Sequence, residues 1–140
     1  MKELETTLEQ SIEVTRELGI RLKAIRPYLF LNNLPLGNFR LAVFSGSTEV
    51  ATTATFTAQN LKDSLSTANS YCAVNYYIRF SQSVFLKKGI YTVRLISSSY
   101  SYSTSEFIAW IIEHENEKNA MSYVRLNDTE NSFAFDLFRF

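Results

Sequence analysis

The chain is expected to fold as a mainly β protein, an antiparallel β-sandwich preceded by one amphipathic α-helix. Three observations carry that expectation. Apolar residues alternate with a period of two through most of the chain after residue 27. Aromatic residues make up 14%, with 11 Phe and 8 Tyr, and rings suit a half-buried pleated face. The first 26 residues instead space their apolar side chains by threes and fours.

Length and charge bound the rest. A chain of 140 residues is one globular unit by default, here read as a helix over 1–26 and a β-domain over 27–140. The 14 Lys and Arg balance the 14 Asp and Glu. Without a net field, neither nucleic acid nor an acidic membrane is an expected partner. A single cysteine, Cys72, allows no internal disulfide. The opening MKELETTLEQ lacks the apolar core of a signal peptide, and no run is long enough to span a bilayer. A soluble product that starts in the cytoplasm is expected.

The helix over 1–26 rests on charge order and spacing. Glu3, Glu5, Glu9 and Glu13 come early and Arg21, Lys23 and Arg26 late, which complements a helix dipole. Thr6 to Glu9 and Thr7 to Gln10 both fit a capping box, and Pro27 is a natural stop. Leu4, Leu8, Leu18, Leu22 and Ile25 lie on a heptad seam that Ser11 and Thr15 interrupt. Such a helix either packs on its own sheet or docks on a partner. In the docking case Leu8, Leu18, Leu22 and Ile25 carry the contact.

From Tyr28 onward the strands follow in order. NFRLAVFS puts Phe39, Leu41 and Val43 on one face, and VATTATFTA puts Val50, Thr52, Ala54 and Phe56 on one face. YCAVNYYIRF groups Cys72, Val74, Tyr76, Ile78 and Phe80; IYTVRLIS groups Tyr91, Val93 and Leu95. FIAWIIEHE is apolar until Glu113, and SYVRLN and SFAFDLFRF complete the set. FSGST, KKGI and NDTENS supply turns, and QNLKDSLSTANS is a longer connection with room for a helical turn. About seven to nine strands without alternating helices favour an antiparallel sandwich of the jelly-roll type.

Catalytic or metal-binding chemistry finds little footing. His114 is the sole histidine and Cys72 the sole cysteine, too few for a histidine-based zinc site. Cys72 is expected on an inward strand face, where a thiol acts as a small hydrophobe. Glu113, Glu115 and Glu117 read as a solvated strand end, and Lys87-Lys88 as a charged hairpin turn. No enzyme activity, metal or cofactor is expected. The stretch SSSYSYSTSEF stands out. Tyrosine offers rigid area with a polar tip, and serine offers adaptable hydrogen bonds. Tyr100, Ser101, Tyr102 and Ser103 are therefore the candidate contact residues, on either a loop or an edge strand.

The hairpin FLKKGIYTVRLI, with Gly89 at the turn and Tyr91, Val93 and Leu95 following, resembles that of carbohydrate-binding-type β-sandwiches. With YYIRF upstream and the Trp110 strand downstream, the pattern over about residues 36–140 is similar to jelly-roll modules of bacteriophage virion proteins: fibres, decorations and adaptors. That resemblance implies a non-enzymatic structural or attachment protein, located in the virion and assembled in the host cytoplasm. Its partners would be other virion proteins or copies of itself, a trimer included. The alternative is a carbohydrate-binding module that stacks glycan on Tyr100 and Tyr102.

Overall fold

A computed structural model gives the structure and describes residues 2–5, 7–65, 71–73, 76–110, 124–126 and 135–139. The described residues form twelve strands and one short helix. In chain order these are β1 (Lys2–Glu3), β2 (Thr7–Val14), β3 (Ile20–Pro27), β4 (Leu29–Asn32), β5 (Asn38–Ser45), β6 (Thr48–Thr52), α1 (Ala58–Asp63), β7 (Cys72–Ala73), β8 (Ile78–Leu86), β9 (Gly89–Ser98), β10 (Phe107–Trp110), β11 (Val124–Leu126) and β12 (Phe135–Arg139). His114, Glu113, Glu115, Glu117, Val74 and the NDTENS turn lie outside the described residues.

The strands make three antiparallel sheets. Their orders are β1-β10-β4-β7, β11-β2-β9-β5-β6 and β12-β3-β8. One apolar cluster draws on all three, with Leu29, Leu31, Ile108 and Trp110 from the first, Ile12, Leu41, Val43, Val93 and Leu95 from the second, and Leu22, Ile25, Ile78 and Leu86 from the third. The expected inward faces of β5 and β9 are as the alternation predicts: Phe39, Leu41, Val43, Tyr91, Val93 and Leu95 are all buried. Thr53 joins two sheet edges. Its hydroxyl accepts from Leu41 N at 3.0 Å, and it bridges Phe80 of β8, so a polar group 3% exposed is fully partnered.

The helix expected over 1–26 is not there; β1, β2 and β3 occupy that stretch. The reason lies in the spacing. Leu4, Leu8 and Ile12 are four apart, as are Leu18 and Leu22, and four is close to one helical turn yet also an even number of strand residues. Both periods fit. Gln10 hid the strand pattern, because it takes an inward position and is only 2% exposed; its Nε2 donates to Ser11 O at 2.9 Å. Gly19, at φ 74°, ends the β2–β3 turn in a left-handed conformation that a helix interior would not allow. Partnering decides the outcome. β2 pairs along its whole length with β9, and β3 pairs with β8 and β12, which outweighs weak intrinsic helix propensity.

Two smaller expectations also shift. The run through VATTATFTA loses its alternation after β6: Val50 is exposed while Thr53 and Phe56 are buried. Cys72 does not face the core; Ala73 does, and Cys72 pairs with Phe30 on the opposite face. The QNLKDS connection does hold a helix. Here a true capping box forms, with Asn60 N donating to Thr57 Oγ at 3.2 Å and Thr57 N donating to Asn60 Oδ1 at 2.9 Å.

The strand assignment at the N-terminal end makes a sharp prediction. Leu22 is fully buried in β3, whereas Leu18 sits exposed in the turn. Leu22→Asp should cost more than about 4 kcal/mol, since it buries an unpaired charge. Leu18→Asp should stay within about 0.5 kcal/mol. Urea unfolding of the two variants decides it; equal effects would contradict the strand register.

Candidate functional site

The SSSYSYSTSEF stretch is the end of β9 followed by a loop over residues 99–106 that leads into β10. Ser99 takes φ 58°, which turns the chain out of the strand. A serine turn closes the far end: Glu106 N donates to Ser103 Oγ at 3.0 Å and Ser103 N donates to Glu106 O at 3.2 Å. Ser101 and Ser103 are exposed. The loop is also gripped from β4, where Asn32 Nδ2 donates to Ser105 O at 3.1 Å and the adjacent Asn33 amide donates to the same carbonyl.

Tyr100 and Tyr102 point back at β1. Leu4 N donates to Ile108 O at 2.7 Å, the first half of a ladder pair. The reciprocal rung is made through Tyr100: Ile108 N donates to the Tyr100 hydroxyl at 3.4 Å, and that hydroxyl donates to Leu4 O at 2.6 Å. The Tyr100 ring meets Phe39 edge-on, with centroids 5.3 Å apart. Burial raises its hydroxyl pKa above the ordinary tyrosine value. Tyr102 donates to the Glu3 carboxylate and lies against Phe107, centroids 6.0 Å apart. Both hydroxyls are thus engaged in holding an edge strand, and only the half-exposed ring of Tyr102 remains as a contact surface.

The four docking positions are split by the fold. Leu8, Leu22 and Ile25 enter the core, and Leu18 alone is on the surface, 77% exposed. They form no common seam, because strand alternation sends three of them inward.

A different surface emerges on the outer face of β1-β10-β4-β7. Leu29 and Leu31 face the core, so Phe30 and Asn32 face away. The Phe30 ring is flanked by Tyr71 at 6.2 Å and 18°, and by Phe107 at 6.0 Å and 28°. With Tyr102 beyond Phe107, four rings cross the sheet in one row, in which Phe107 is itself buried. Arg26, in β3, lies over Tyr28 and Tyr77, 5.5 and 5.1 Å from the ring centroids, and donates to the Tyr77 hydroxyl at 3.0 Å. Tyr71 and Tyr77 are 62% and 52% exposed. At the Tyr71 end the row opens into a cleft of about 360 Å³, lined among others by Asn32, Asn33, Lys62, Leu65 and Tyr71. The signal for this face is the alternation in PYLFLNN, where Tyr28, Phe30 and Asn32 oppose Leu29 and Leu31. Among the described residues, no group of three or more His, Cys, Asp or Glu is placed to hold a metal.

The Glu3–Tyr102 contact gives a pH prediction. The hydrogen bond to the Glu3 carboxylate, before all other causes, pushes the Tyr102 pKa up to about 12, from about 10 in an unfolded chain. A raised pKa favours the protonated hydroxyl in the folded state. Its stabilising contribution is therefore full below about pH 10 and is lost as pH rises toward 12. Tyrosinate absorbance should show a late-titrating component that moves down in Glu3→Gln; an unchanged titration in that variant would contradict the contact. No known protein family matches this chain, and neither curated proteins nor solved structures show a significant similarity to it.

Proposed function

We propose that the chain is a non-enzymatic attachment module of jelly-roll sandwich type, the contact-bearing part of a bacteriophage virion protein, and that its ligand is glycan. The observation that carries this reading is the row of rings on the outer face of the four-stranded sheet. Rings stacked on one another along a sheet are ordered before contact, so little affinity is lost to entropy, and Tyr71 at the end of the row keeps one face exposed. Sugar rings present apolar C–H faces that stack on such rings, and their hydroxyls suit the asparagines and serines at its margin. The contact surface of this reading is Tyr71, Phe30, Tyr77 and the ring of Tyr102, in place of Tyr100, Ser101 and Ser103. The virion assignment is supported by the resemblance of the YYIRF stretch and the Trp110 strand, taken with the Gly89–Leu95 hairpin, to phage jelly-roll modules.

The test is retention on immobilised bacterial surface polysaccharides and a glycan array. Tyr71→Ala combined with Tyr77→Ala should weaken retention at least about tenfold, or about 1.4 kcal/mol, with thermal stability kept. Ile90→Ala, an exposed site on another strand, should change nothing. Retention that ignores the double variant would reject this face, and a parent protein that is never retained would reject glycan.

A second reading, assembly with copies of itself, is favoured by one observation. Exposed Leu18 and Phe85 lie at the same end, since a Cβ on Gly19 would meet the Phe85 ring at 2.7 Å. Light scattering should then show an oligomer that dissociates in Leu18→Asp/Phe85→Asp; a monomeric parent removes this reading.

A further inference from the structure

We propose that the cleft at the Tyr71 end of the aromatic row binds an acidic sugar residue, a hexuronate or a sialic acid at the tip of a glycan. The inference rests on the attachment reading above and names the ligand class and the site. The cleft holds about 360 Å³, near the small end for small-molecule sites, which fits a terminal residue better than the middle of a chain.

Three walls converge on it, each prepared in a different way. Tyr71 supplies the flat wall. Its ring is exposed on one side and backed by Phe30 on the other, and its carbonyl accepts from Leu31 N at 2.8 Å, so the ring is set before a ligand arrives. Asn32 and Asn33 supply the polar wall. Both amide Nδ2 groups turn to the loop carbonyl of Ser105, and the left-handed Asn33, at φ 58°, lets consecutive side chains reach it. With the nitrogens fixed there, each Oδ1 is left as an acceptor for a sugar hydroxyl.

Lys62, in the last turn of α1, supplies the third wall and the charge. Among the described residues, no carboxylate lines the cleft. The adjacent Asp63 accepts from Gln59 Nε2 at 2.8 Å on the helix surface. Beside Leu31, Leu34 and Leu65, the described lining therefore carries one cation, two amide side chains and one ring. An inorganic anion would call for several donors; this set instead matches a ring that bears hydroxyl donors and one carboxylate. The cation selects the acidic member of an otherwise similar pair.

The experiment titrates the full chain with matched probes: sialyllactose against lactose, and trigalacturonate against its methyl ester. At least one acidic member should bind about tenfold or more tighter than its neutral partner. Lys62→Gln should abolish that preference, and salt at about 0.5 M should reduce it. Tyr71→Ala should weaken both members. Both positions are exposed, and a melting curve checks that each variant stays folded. Equal binding of acidic and neutral members, or a preference that survives Lys62→Gln, overturns the acidic-sugar assignment. Glycan binding untouched by either variant overturns the site while leaving the attachment reading intact. Binding of no probe, with an empty glycan array, overturns both.

Discussion

β9 sits between β2 and β5 and imposes its register on both. It pairs with β2 from Val14↔Gly89 to Thr7↔Ile96, and with β5 from Phe44↔Thr92 to Asn38↔Ser98. Tyr91, Val93 and Leu95 fill the core from its inner face. On its outer face Arg94 bonds Glu9 at 2.7 Å and lies 4.2 Å from the Phe44 ring centroid. A slip by one residue would exchange those two faces, so the core and the outer pairs select a single alignment. That alignment also determines where β9 releases the chain into the 99–106 loop, and so where the aromatic face begins.

The loop then solves a problem at the sheet edge. β1 is only two residues long, and so short an edge strand has little to hold it. The Tyr100 hydroxyl stands in for a missing rung, accepting from Ile108 N and donating to Leu4 O. A hydroxyl can do both at once, which a backbone group cannot. Gly37 allows the loop to lie this close. Any Cβ there would come within 2.7 Å of Ser98 O, and its φ of 123° excludes most other residues. The loop is thereby rigid where it meets the sheet and polar where it meets solvent. That is the combination a contact surface requires.

The aromatic row follows from the same alternation that builds the core. In β4, Leu29 and Leu31 turn inward while Phe30 and Asn32 turn outward; in β10, Ile108 and Trp110 are in the core cluster while Phe107, also buried, lies against Phe30. Most outward positions on sheets are polar. Here rings replace them across neighbouring strands, and each ring is braced by the next. The amides of Asn32 and Asn33 join this face to the loop, so ring platform, loop and cleft form one continuous surface.

How much of this could be read from the residues alone differs by element. The inward faces of β5 and β9, the KKG hairpin, the turn at Gly46 and the helix in the QNLKDS connection are local patterns, and local patterns were legible. The first 26 residues were not, because apolar spacings of four satisfy both helix and strand, and the buried Gln10 removed the clue that separates them. The choice went to the strand because β8, β9 and β12 offered partners from the far side of the chain. Tyr100 and Tyr102 were legible as unusual residues, but their tie to Glu3 and Leu4 spans more than ninety positions, and composition holds no record of such a contact. Leu8, Leu22 and Ile25 had the hydrophobicity of an interface and took their place in the core. Residue type and short-range period thus determined the β class and the inner faces. Which outward rings stand side by side, and which cleft they close, was decided by strand order, since neighbours across a sheet are set by pairing between distant segments.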